Sequence, residues 1–222
     1  MWGIYFSNLM ESLPLFFKGL WITLEVSLLS LLLSTLGGFL LGIIRSSKVR
    51  WLQYILAAYV DLIRGTPFLV QIFIVFFILP EWDIHLEAFT SAILSLTIYG
   101  TAYICEIVFG AIRAVPGGQV EAAIASGLSW RQSMQHVVLP QALRPILPPL
   151  VGQYVLLIKD TAVVSVIGLT DITRVGWLTV QRIPEGILVF GLVGLFYFAI
   201  CYPLIWLSNR LEARMTVEGS RL

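Results

Sequence analysis

The feature that most constrains this chain is a series of five apolar segments, each about as long as the ~20-residue helix needed to cross a bilayer. They cover about residues 20–44, 57–79, 88–112, 146–167 and 187–207. In a chain of 222 residues they leave little room for anything else. Composition agrees: 58% of residues are hydrophobic and 12% charged, against the 45–50% apolar share usual in soluble domains. The expected fold is a single all-α membrane domain spanning residues 1–222, with about five transmembrane helices. The first segment is too long for a signal-peptide core and meets Arg45, Lys48 and Arg50 without a small-residue cleavage pattern, so it reads as a retained span.

Net charge is only +1, and orientation follows from where Lys and Arg fall. Arg45, Lys48, Arg50 and Arg64, then Arg113, Arg131 and Arg144, then Arg210, Arg214 and Arg221 lie on one side. The other side carries Lys18, Arg174 and Arg182 among acidic residues such as Glu81, Asp83 and Glu87. This predicts the N-terminus outside and the C-terminus in the cytoplasm. Residues 1–19 mix Trp2, Phe6, Phe16 and Phe17 with Asn8, Glu11 and Ser12, which suits an interfacial helix bent at Pro14; an unstructured lead-in is the alternative. Gly38 and Gly42 have the spacing that lets membrane helices approach closely, a packing feature with no functional weight. Asp61 and Arg64 could pair one helical turn apart before Gly65 and Pro67 disturb the helix, either as an anchor or as a partner contact. Cys105 and Cys201 fall within spans with no CxxC spacing, which argues against a disulfide framework.

Residues 113–145 are too polar to span and too apolar for a disordered linker. Val115-Pro116-Gly117-Gly118-Gln119 has turn chemistry. Glu121 to Ser126 can form a short helix ended by Gly127, and 128–138 reads as a second, amphipathic helix. Pro140, Pro145, Pro148 and Pro149 then punctuate the return to the membrane. A helix-turn-helix with an alanine-rich face is a docking surface.

The motif within this loop is specific. Glu121-Ala122-Ala123, three residues, Gly127, nine residues, Val137, then Leu139-Pro140 resembles the EAA loop of bacterial ABC-importer permeases, with Val137 in place of the usual Ile. Arg64-Gly65-Thr66-Pro67, Glu106-Ile107, Leu139-Pro140-Gln141-Ala142 and Lys159-Asp160-Thr161 look like the polar amino-acid branch of that family (histidine, glutamine and arginine permeases). Gly152-Gln153 and Thr161-Ala162-Val163 depart from the Gly-Asn and Thr-Ser-Leu usual there.

The resemblance implies a multi-pass subunit of the bacterial inner membrane that moves polar amino acids inward. It would be paired with an identical or sister permease, two cytoplasmic ATP-binding subunits and an extracytoplasmic amino-acid-binding protein. ATP and Mg would bind the partner ATPase, and this chain would hold no cofactor. Glu121, Ala122, Ala123, Gly127, Leu128, Ser129, Trp130, Leu139 and Pro140 would form the ATPase-coupling contact, with 128–136 as the coupling helix.

Other chemistries find no support in the residues. There is no GxxxxGK[ST] phosphate cradle, and His85 and His136 stand in no HExxH or other metal pattern. No nucleic-acid motif occurs. Glu106, Gln153, Lys159, Asp160 and Thr161 are the candidates for the substrate path. A lone charge in hydrocarbon costs about 2.5–3.5 kcal/mol on insertion scales, so each charge should find a partner. Lining a path and bracing the spans remain equally open for them. A secondary transporter driven by an ion gradient is the alternative function; it would normally show two related halves, and no repeat is evident.

Overall fold

The computed structural model describes the backbone of residues 2–183 and 185–219, and the side chains of 5–183, 185–213 and 215. Arg221 and the side chains of Trp2 and Arg214, used above for orientation and for the interfacial segment, lie outside the described residues.

The described residues form helices and connections only. Helix α1 (Trp2–Arg45) precedes α2 (Arg50–Arg64) and α3 (Phe68–Phe73), which continues through wider and tighter turns to Trp82. After α4 (Ala88–Ala114) come α5 (Gly117–Ala125), α6 (Trp130–Ser133) and α7 (Leu139–Asp160), then α8 (Ile172–Val180) and α9 (Gly186–Gly219). Four helical stretches are long and apolar enough to cross a membrane: Tyr5–Arg45, Ala88–Ala114, Trp130–Ile167 and Gly186–Ala213.

The expected continuous span at 57–79 is corrected: α2 and the helix Phe68–Trp82 meet at 101°, and they make a fifth span only if the bent pair counts as one. Thr66 precedes a proline and is pushed off the helical region, Pro67 is extended at ψ 137° and has no N–H to continue the ladder, and the helix restarts at Phe68.

Elsewhere proline does less than expected. Pro14 lies inside the continuous α1, and Pro140, Pro145, Pro148 and Pro149 all lie within the helical run Trp130–Ile167. Two Leu-Pro steps are absorbed by π turns. The Leu79 N–H reaches back to the Ile74 carbonyl and the Leu139 N–H to that of Met134, widening the turn just before Pro80 and Pro140.

At about 1.5 Å per residue, the 44 residues of α1 extend about 66 Å, far more than the ~30 Å hydrocarbon core. Its first half does not stand apart as a separate interfacial element: Leu9 and Phe16 are buried against Ile172, Val189 and Val193 of α8 and α9. Its second half runs alongside α4 in the same direction. Gly38 faces Ile104 and Gly42 faces Val108, so closely that a β-carbon would stand 2.5 and 2.7 Å from those side chains. The close approach expected from the glycine spacing is present, with α4 as the partner. α7 runs antiparallel to both, and α9 antiparallel to α7.

The core is built where these helices meet. Val26, Ile72, Leu96, Leu157 and Val164 form one cluster, and Ile104, Val108, Met134, Ala142 and Ile146 another. The outer face of α1 carries Trp21, Leu24, Leu28, Leu32, Leu36 and Leu40, all exposed. An apolar stripe turned away from the protein is the pattern of a lipid-facing helix. Two ends follow. The first holds Arg45, the 46–49 connection, residues 113–138 and the end of α9; the second holds residues 79–87 and 161–186.

Candidate functional site

At the first end, α5 and α6 form the helix-turn-helix expected at 113–145. α5 ends in a Schellman turn: the Leu128 N–H donates to the Ala123 carbonyl and the Gly127 N–H to that of Ile124, at 3.1 and 2.9 Å. Gly127 takes φ +85°, the left-handed conformation that a residue bearing a β-carbon resists, and nothing lies within 4 Å of where such a carbon would sit. Its glycine is thus required by the backbone alone.

Two residues later Ser129 caps the next helix. Its Oγ accepts from the Gln132 N–H, and the Gln132 side chain accepts from the Ser129 N–H at 2.8 Å, a reciprocal capping box. Ala123 and Ser133 are buried anchors; Glu121, Ala122, Ile124, Ala125, Ser126 and Gly127 are exposed. The result is a rigid turn presenting small side chains, one carboxylate and the apolar Ile124. Leu128 and Trp130 are half-buried, while Leu139 and Pro140 sit on the far side of the π turn, at the root of α7.

The charge cluster lies on the membrane side of this loop. Arg45 Nη1 meets Glu106 Oε2 at 2.5 Å, and Arg64 Nη1 approaches the same oxygen at 3.6 Å. The Arg45 guanidinium also sits 4.3 Å above the Phe109 ring, and that of Arg64 is 5.6 Å from the Tyr103 ring. One carboxylate, about two turns before the end of α4, therefore ties that helix to the last residues of α1 and α2. Arg45 is largely buried and Glu106 about one third exposed, so the pair is only partly desolvated. Arg64 turns toward Glu106, and the Asp61–Arg64 ion pair considered from the sequence is not formed.

The remaining path candidates stand apart from Glu106, toward the second end. Gln153 is buried within α7, and its neighbour Tyr154 shares a 2.8 Å hydrogen bond with Thr35 of α1. Lys159 is exposed and Asp160 half-buried at the end of α7. Thr161 is buried; its Oγ1 donates to the Ile158 carbonyl at 2.7 Å and lies 3.4 Å from the Tyr197 hydroxyl. Tyr197 also reaches Thr173 and donates to Asp171, at 3.1 and 3.5 Å. Asp171 is fully buried and caps α8, accepting from the Thr173 and Arg174 N–H groups. Burial pushes its carboxyl above the usual aspartate range, against those donors, which pull it down. Thr23 of α1 closes the network by accepting from the Ile172 N–H at 3.1 Å.

Sequence reasoning thus named Glu106 as needing a partner but placed Arg45 outside the span as an orientation marker; its role as that partner was missed. The Asp171-Ile-Thr-Arg174 step carries an N-cap signal that could have been read. Tyr197 and Thr23 carry none, because their partners are 24 to 149 positions away. Cys105 and Cys201 are both free and buried, and His85 and His136 are exposed.

Comparison with known proteins agrees with this geometry. The family model described as "Binding-protein-dependent transport system inner membrane component" matches residues 7–217. The probable glutamine ABC transporter permease protein GlnP of Bacillus subtilis (strain 168) is 38% identical, over 93% of this chain and 96% of that protein. The glutamine transport system permease protein GlnP of Escherichia coli (strain K12) is 34% identical, over 95% and 97%. A crystal structure of an amino acid ABC transporter with histidines matches with a TM-score of 0.86 at 31% identity, covering 94% of this chain and 98% of the other.

Proposed function

The chain belongs to the family of binding-protein-dependent transport system inner membrane components, as the multi-pass, non-catalytic permease subunit of an amino-acid ABC importer, and we propose how it works within that complex. Residues 1–222 act as one membrane domain whose first end faces the cytoplasm, with the N-terminus outside and residues 1–19 reaching the outer interface. The α5–α6 turn within 113–145 docks on a cytoplasmic ATP-binding subunit. Two such subunits hold the ATP and Mg, and a second permease, identical or sister, completes the pore. An extracytoplasmic binding protein delivers the amino acid. Polar amino acids are the substrate class, and glutamine is the first to test, because the relatives above bear its name.

The observation that carries this reading is the exposed α5–Gly127–α6 turn. It is internally rigid, with every cap satisfied, yet it leaves Glu121, Ala122, Ile124 and Ala125 without a covering element. A shallow surface of small side chains on a stiff turn transmits a push from a partner that grips it, where a flexible loop would absorb it. Glu106, Gln153, Lys159, Asp160 and Thr161 line or brace the route between the two ends; Glu106 does so as the carboxylate that two arginines share.

The test is co-purification of this chain with candidate ATP-binding subunits, comparing wild type with a Glu121→Ala, Gly127→Val double variant. A stable wild-type complex, with the variant either failing to bind or hydrolysing ATP without response to substrate-loaded binding protein, supports the reading. Equal binding and equal stimulation would overturn the docking role. Uptake that persists without ATP hydrolysis and collapses with the ion gradient would overturn the ATP-coupled mechanism.

A further inference from the structure

A cavity of about 540 Å³ opens at the first end, between the last turn of α1, α2, the last turn of α4 and α5–α6. Its volume falls in the range of small-molecule sites. Arg45, Ser46, Gln53, Phe109, Arg113 and Trp130 contribute to its wall, and no carboxylate does. Arg45 is already neutralised from behind by Glu106. Arg113 is not: among the described residues no carboxylate lies within ion-pair distance of it, and its charge meets only the Phe109 ring at 5.6 Å. The Ser46 hydroxyl is committed to the Gly42 carbonyl and one Gln53 amide N–H to that of Ser47, so the cavity presents an uncompensated guanidinium, the remaining Gln53 N–H, the Trp130 indole, and apolar walls from Ala57, Ile112 and Met134.

Its depth narrows the choice of ligand. Arg45 and Arg113 are in the last turns of two membrane-crossing helices, so the cavity sits where headgroups meet the protein. Trp130 and Tyr54 at its edge are the amphipathic rings found at that level. Basic pockets between helices at the cytoplasmic surface suit anionic headgroups, and exposed Lys48 on the adjoining connection and Arg50 at the start of α2 enrich anions locally.

We infer that this cavity binds the phosphate headgroup of an anionic phospholipid, with Arg113 as its main anion ligand and the Trp130 indole and the second Gln53 amide N–H as supporting donors. A headgroup held there touches α1, α2, α4 and the α5–α6 turn together. The inference rests on the chain's place in a membrane and not on the docking role of Glu121 and Gly127, so the two can fail separately.

The assembled transporter would be placed in nanodiscs of mixed phosphatidylglycerol and phosphatidylcholine, and the lipid retained on release counted by native mass spectrometry. Wild type should keep phosphatidylglycerol in preference to phosphatidylcholine. Arg113→Gln should retain about fivefold less, as expected for one basic contact near the surface, and Arg113→Lys should restore most of it. Ala57→Phe, which fills the cavity from α2 without touching a charge, should also lose the lipid and keeps the test valid if Arg113→Gln does not assemble. Undiminished retention in Ala57→Phe, or equal retention of both lipids by wild type, overturns the inference. So does complete displacement by millimolar inorganic phosphate, which would make the cavity a site for free anions.

Discussion

The two ends of the molecule satisfy their polar groups in opposite ways. At the second end, Thr23, Thr161, Asp171, Thr173 and Tyr197 form a network that is mostly buried and drawn from α1, the tighter turns after α7, α8 with its N-cap, and α9. Each hydrogen bond there joins two parts of the same chain. At the first end, the α5–α6 turn satisfies its own caps and then stops, leaving its outer face uncovered, while the charges gather one layer deeper around Glu106. The difference separates what the chain needs in order to fold from what it offers to others. The buried network of the second end is completed within the fold; the first end keeps an open face, the one on which the proposed docking depends.

This contrast can be broken at several points, and the largest effect is expected at Glu106. Glu106→Ala leaves the buried Arg45 without its counterion, and breaking such a pair costs about 3–5 kcal/mol when fully buried. Because Glu106 is one third exposed, about 3 kcal/mol is expected, measured as a lowered unfolding midpoint in detergent, with Glu106→Asp intermediate. A midpoint like that of wild type would mean that Arg45 is already solvated.

Overpacking of α1 against α4 comes next. Gly38→Val brings side-chain atoms onto Ile104 at a site with no room, for a loss of about 1–3 kcal/mol. The same substitution at Gly110, where the surrounding space is open, should cost less.

At the second end, Asp171→Ala removes a helix cap and a tyrosine contact, a loss of about 1–2 kcal/mol, while Asp171→Asn keeps an acceptor and should be milder. The pH dependence has a definite sign. Since the folded-state value is raised above the unfolded one of about 3.9, the folded protein binds the proton more tightly. The stability from this group is complete below that unfolded value and declines as pH rises toward the folded one. In Asp171→Asn this component of the pH profile should vanish.

The smallest stability effect is expected at Gly127. Gly127→Ala introduces left-handed strain of about 1–2 kcal/mol, but only in an exposed turn, so local rearrangement should leave the global midpoint nearly unchanged. Coupling to ATP hydrolysis should suffer instead. A large fall in the midpoint would show that the turn belongs to the folding core, and the contrast between the ends would dissolve.

The spans were legible in the sequence because membrane helices announce themselves by length and apolarity, and Gly127 was legible because a left-handed helix end has few alternatives. The break at Gly65-Thr66-Pro67 was visible as chemistry, but its 101° angle was not, since apolar residues continue on both sides and hydropathy is blind to direction. Proline was overread: in a helix packed on neighbours and partly away from water, Pro145, Pro148 and Pro149 need not end anything. Glu106 was found as a charge in need of company. Arg45 as its companion was hidden, because the two are 61 positions apart and a residue at a span's edge looks the same whether it faces water or turns back inward.

The π turns before Pro80 and Pro140 have a consequence for how such chains vary. Each holds one residue more than an α-helical turn would, and a residue corresponds to about 100° around the axis. Upstream and downstream stretches are therefore out of phase, and Trp130 and Ile146 cannot be assigned to faces on a single helical wheel. Deleting one residue at 134–138 should swing the whole α5–α6 turn around α7 without breaking the helix, whereas the same deletion within α4 would misplace the Gly38 and Gly42 contacts. Single-residue insertions and deletions among related chains should accordingly cluster at these two steps and be rare along α4.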